Sequence, residues 1–133
     1  MIRRRRTLFI VDGGLAVLLG AGLLLAPVQL LLAFGVTIGP APSVVTRLLG
    51  AAVLSLGAVL ILTRNHVDGA VGTALIRGHL VFDVLGLAIS AYATAAGLVN
   101  ILGWGLAVLF LVAALARVRL LREGRPAVGT ASG

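Results

Sequence analysis

Residues 8–26 read LFIVDGGLAVLLGAGLLLA, an apolar run with a single charge, Asp12, placed directly behind the arginines Arg3 to Arg6. A run of this length matches the ~20 residues a helix needs to cross a bilayer. Three further runs of the same kind follow, at about 44–63, 74–99 and 101–118. Between Arg6 and Arg117 the charged residues are Asp12, Arg47, Arg64, Asp68, Arg77 and Asp83 alone. The 133-residue chain is 60% hydrophobic and 11% charged, whereas a soluble domain carries ~25% charged residues. So few charges cannot cover a water-facing surface. The expected fold is all-α: a polytopic up-down-up-down bundle of four transmembrane helices within residues 1–122.

Punctuation places the connections. The first helix is expected over about 8–33, kinked or ended near Pro27, because proline has no N–H to continue the ladder. Gly35 to Ser43 carries two prolines and two glycines and reads as a loop, with Ser43 as N-cap of the second helix. Arg64 to Gly72 is a polar connection, and Asn100 opens a short one. Residues 123–133 are small and polar and read as a disordered tail. Asp12 interrupts the first run early, and no small-x-small site follows near Ala26. An uncleaved first helix is therefore expected rather than a secretory signal.

Orientation follows from the arginines. Arg3, Arg4, Arg5, Arg6, Arg64, Arg77, Arg117, Arg119, Arg122 and Arg125 fall on one side of the four-span plan, ten in all, and Arg47 on the other. The positive-inside rule then puts both termini and the middle loop in the cytoplasm. Arg47 reads as an anchor at the outer interface, its stem lying along the helix and its head among phosphates; an inward bond to Asn100, Thr37 or Gln29 is the alternative.

Several chemistries are disfavoured by composition. The sequence has no cysteine, which removes disulfides, thiolate metal sites and cysteine nucleophiles. Two histidines are too few for a metal or haem site, and Gly13-Gly14 fits no phosphate loop. No serine lies within helical reach of His79. The net charge of +7 is carried by arginines beside apolar runs, not by a solvated basic face with stacking aromatics, so nucleic acid is not an expected partner. No intrinsic catalysis and no cofactor are expected; the expected partners are membrane lipids and either a second copy or a larger membrane complex.

Each run carries small residues at helical spacing, the pattern through which membrane helices pack. The expected seams are Ala16 and Gly20 on the first helix, Ala51 and Ser55 on the second, and Gly86, Ser90 and Gly97 on the third. Asp12 and Asp83 begin two of these stripes. At 1.5 Å per residue, Asp12 lies ~6 Å past Leu8 and Asp83 ~9 Å past Arg77, both near the cytoplasmic boundary. His79 precedes Asp83 by four and shares its face. An intramembrane cluster of Asp12, Asp83 and His79, with Arg64 or Arg77 nearby, is therefore expected, since ionisable groups inside a membrane face protein or water. A hydrogen-bonded lock between the first and third helices and a proton-coupled site are both consistent with it.

Two segments carry a family likeness: RLLGAAVLSLG at 47–57, and DVLG at 83–86 followed by GLVNILGW at 97–104. Together they resemble small uncharacterised bacterial four-helix inner-membrane proteins, similar in size and plan to DoxX-like proteins. The resemblance covers roughly residues 7–120 and implies a four-helix inner-membrane fold with no catalytic residues. The expected role is a structural, accessory or self-associating membrane component. An oligomeric proton-coupled transporter of small solutes and a lipid- or quinone-binding subunit are the alternatives.

The topology is directly testable. A reporter fused after Arg122 is expected to signal from the cytoplasm; an extracytoplasmic signal would overturn the orientation.

Overall fold

The computed structural model describes residues 2–66 and 69–123. Among them the chain is helical: α1 (Ile2–Leu25), α2 (Pro27–Ala33), α3 (Pro40–Leu62), α4 (Gly69–Ala95) and α5 (Leu102–Glu123). Four of these, α1, α3, α4 and α5, are long and apolar enough to cross a membrane. The protein is a multi-pass, all-α membrane protein. The tail expected to be disordered lies outside the described residues except for Glu123, which ends α5.

Proline sets the starts of α2 and α3. Pro27 opens α2 because it cannot donate to the Leu23 carbonyl, and Ala26 adopts φ −135°, ψ 54° at the break. Pro40 occupies the first turn of α3, where a missing N–H costs nothing, behind Gly39 in extended backbone. This corrects the expected start: Ser43 is inside the helix, its hydroxyl donating to the Pro40 carbonyl at 2.7 Å. Glycine at φ +71°, Gly97, ends α4: the Leu98 N–H reaches back to the Ala93 carbonyl at 2.9 Å and the Gly97 N–H to Thr94 at 3.1 Å.

The long helices pair antiparallel, α1 on α3 and α4 on α5. Along the first pair glycines face each other twice, Gly13 with Gly57 and Gly20 with Gly50. A Cβ on Gly50 would sit 2.6 Å from the Leu24 backbone nitrogen, and one on Gly57 would sit 2.7 Å from the Gly13 carbonyl oxygen and 2.9 Å from the Ala16 methyl. Backbone therefore packs on backbone here. Along the second pair, Gly86 accommodates the Phe110 ring, whose Cζ would lie 2.6 Å from an added Cβ. Phe110 in turn meets Phe82 edge to face at 5.7 Å. Ser90 is buried beneath, its carbonyl accepting from the Thr94 hydroxyl at 2.7 Å.

Three expected seam residues move. On α3 the inward face is Gly50, Val53, Gly57 and Leu60; Ser55 is exposed and bonds the Ala51 carbonyl of its own helix, and Ala51 is only half-buried. The inward face recurs at steps of three and four, with Gly50 and Gly57 at the contact in place of Ala51 and Ser55, since glycine allows a closer approach than alanine or serine. Gly97 meets nothing within 4 Å of an added Cβ and serves as a helix end rather than a seam.

At the arginine-rich end the two pairs share a core of Phe9, Leu60 and Ile76, all at most 1% exposed, with Leu8, Leu75 and Leu121 packed around them. At the opposite end Asn100 joins them: its side chain donates to the Ala33 carbonyl at 2.8 Å, its own N–H to Phe34 at 2.9 Å, and its Oδ1 caps the Leu102 N–H at 3.0 Å. Few residues of each long helix are buried inside the bundle, so most of the apolar surface points outward.

Added methyl groups should rank these contacts. Gly50→Ala should lower thermal stability in detergent by ~1–3 kcal/mol, because its neighbour is α1 backbone that cannot yield locally. Gly86→Ala should cost less, since the Phe110 ring can turn aside, and Gly14→Ala, with nothing nearby, should be neutral. Equal losses at Gly50 and Gly14 would remove the seam.

Candidate functional site

Asp12 of α1 and Asp83 of α4 are held together by an arginine from α5. Arg117 of α5 donates through Nη1 to Asp83 Oδ2 and through Nη2 to Asp12 Oδ2, the latter at 2.6 Å. Arg117 is 3% exposed and Asp83 also 3%, whereas Asp12 is half-buried. The planar guanidinium suits this task, presenting two donors in a fixed fork to two acceptors on different helices. Its remaining nitrogen, Nε, is buried without a hydrogen-bond partner.

Neither arginine expected at the cluster takes part. Arg77 is exposed, and Arg64 turns back to the Ile61 carbonyl at 2.7 Å. Arg77 lies two residues before His79 and so projects from another side of α4. Arg64 is in the turn after α3, where the last carbonyls of the helix lack partners and accept a cation readily. A fourth helix ending near 118 would put Arg117 at the membrane edge among the orienting charges. The helix instead continues to Glu123, which places Arg117 ~9 Å inside its end at 1.5 Å per residue. Nine arginines against one still mark the same side once Arg117 is removed from the ten.

A sequence signal for Arg117 existed. Gly103, Ala107, Ala114 and Arg117 recur at helical spacing and are the buried residues of α5 together with Leu120. The stripe leads to Arg117 as those of α1 and α4 lead to the aspartates. Arg119, two residues on, faces out and pairs with Glu123 at 3.4 Å.

His79 lines the same cavity as the three charges, and its Nδ1–H donates to the Leu75 carbonyl at 3.2 Å, which leaves Nε2 on the opposite edge of the ring. The cavity, about 360 Å³, lies between the helix pairs and is walled by Leu15, Leu19, Phe82, Leu106 and Phe110 besides the polar group. Two carboxylates against one guanidinium leave the ionised cluster one negative charge in excess. No group of three or more metal-ligating side chains occurs among the described residues.

Arg47 is exposed, and its Nη1 donates to the Leu24 carbonyl at 2.6 Å. It thus serves a carbonyl at the end of α1, beside the break at Pro27, and bonds none of Asn100, Thr37 or Gln29. At the other end Arg5 is buried and reaches the Leu120 carbonyl at 3.5 Å, a second link between α1 and α5.

No family model, no curated protein and no solved structure matches this chain.

The charge balance ranks substitutions. Asp83→Asn should change stability by less than ~1 kcal/mol, since one carboxylate then faces one guanidinium and the amide oxygen still accepts. Arg117→Leu should cost ~3–5 kcal/mol by stranding two carboxylates. Thermal melts of the two variants in detergent read the difference, and a milder effect for Arg117→Leu would overturn the assignment.

Proposed function

We propose that this protein is a non-catalytic component of a bacterial inner membrane, an accessory or self-associating subunit with both termini in the cytoplasm. The observation that carries the reading is the ion triad. Its donors and acceptors face one another across α1, α4 and α5, and so act on the arrangement of the helices. A catalytic base or nucleophile needs a reactive atom presented to substrate, and here the buried arginine draws both carboxylates onto itself. The arginine asymmetry supports the orientation. Most of the apolar surface is available to lipid or to neighbouring subunits, as an accessory role requires. The small four-helix plan is also that of DoxX-like proteins, which fits this reading.

A second reading has one specific observation in its favour. The cluster holds one carboxylate more than it has guanidinium groups, beside a cavity and a histidine, which is the composition a proton-coupled site needs. Proton flux separates the two. The full chain is reconstituted in liposomes loaded with a pH-sensitive dye, and a pH gradient is imposed. The structural reading expects no flux above empty liposomes, in the wild type and in Asp83→Asn alike. Flux that Asp83→Asn abolishes without lowering the melting temperature would establish transport instead.

A further inference from the structure

A groove runs down the outside of the bundle between α1 and α5. Its walls follow one face of each helix: Leu8, Val11 and Leu15 on α1, and Leu109, Val112 and Ala116 on α5. The volume is about 710 Å³ and the lining is apolar except at two places. Arg3, Arg4 and Thr7 form its mouth, and Asp12, already engaged by Arg117, touches its wall. Small side chains on α5, Ala113 and Ala116, leave the space. The ion pair from Arg117 to Asp12 and the Arg5 bond to Leu120 hold the two helices beside it.

We propose that this groove binds one anionic glycerophospholipid, its phosphate at Arg3 and Arg4 and an acyl chain along Val11, Leu15 and Val112. Two features select this occupant. Arg3 to Leu15 spans twelve residues of helix, ~18 Å at 1.5 Å per residue, close to the ~15 Å depth of one leaflet's hydrocarbon. Cationic side chains stand at the end of the groove where a headgroup lies, and guanidinium groups pair with phosphate through two parallel bonds. Glu123 is the carboxylate facing this mouth. It lies 3.7 Å from Arg4 and 3.4 Å from Arg119, so Arg4 exchanges an exposed carboxylate for phosphate while Arg119 remains on Glu123. The groove shares Asp12, Leu15, Leu109 and Ala113 with the central cavity but not its histidine or aromatic rings, and a phosphate held at Arg3 and Arg4 does not require the triad to move protons.

Native mass spectrometry of the full chain in detergent tests the proposal, with phosphatidylglycerol and phosphatidylcholine of matched acyl chains as probes. Phosphatidylglycerol should be retained preferentially, and Arg3→Gln with Arg4→Gln should weaken it by roughly fivefold per arginine, from the worth of one cation near an anionic surface. Arg77→Gln with Arg122→Gln removes the same charge from the same end away from the groove and should leave the preference intact. Ala116→Phe should lower retention of both lipids by filling the groove; Val112→Trp does so from the exposed side should the first variant misfold. Equal retention of the two lipids by the wild type would overturn the proposal. So would an equal loss in the Arg77/Arg122 variant, which would reduce the preference to the general charge of that end. Displacement of the lipid by inorganic phosphate at equal concentration would do the same, because a surface anion contact would then account for it.

Discussion

The contact between Arg117 and the two aspartates does what apolar packing cannot do in this chain. Lipid tails solvate leucine as well as another helix does, so burying leucine between the two helix pairs yields little. A charge is different: within the membrane it has no alternative partner of comparable strength, and separating the helices would leave it unpaired. One guanidinium reaches both pairs at once, bonding Asp83 within the α4–α5 pair and Asp12 across to α1. The apolar cluster of Phe9, Leu60 and Ile76 lies toward the arginine-rich end from this point, and the open cavity begins on its other side.

Within each pair the physics is contact rather than charge. Gly13, Gly20, Gly50 and Gly57 bring the α1 and α3 backbones together at distances that exclude a methyl group. The second pair reaches the same end differently, with a glycine on α4 receiving an aromatic ring from α5. In the second pair the two rings, Phe82 and Phe110, also wall the central cavity.

The breaks between the described helices are bonded from elsewhere in the fold. Pro27 removes a donor, and Arg47 supplies one at the neighbouring carbonyl of Leu24. Asn100 bonds the chain beyond α2 from across the bundle. Such polar groups at a membrane boundary must be satisfied internally or by water. The groove between α1 and α5 stays open where Ala113 and Ala116 line it and larger residues would close it.

The residue pattern alone determined four crossings, their approximate limits and the helices that carry intramembrane carboxylates. Those properties are local: apolar length, proline and glycine positions, and charge isolated in an apolar run. Helical spacing placed Asp12, Asp83 and His79 on inward stripes for the same reason. Which cation would meet the carboxylates was not local. Arg64 and Arg77 are nearer in sequence to Asp83, yet the partner comes from 34 residues away on α5 and 105 from Asp12. The small-residue stripe of α5 leads to Arg117, but which carboxylates it meets is decided by the packing of α5 against both α1 and α4. The phase of the α3 seam likewise depended on the facing helix, because Gly50 and Ala51 differ by one methyl group and only the neighbour's backbone decides which of them must lack it.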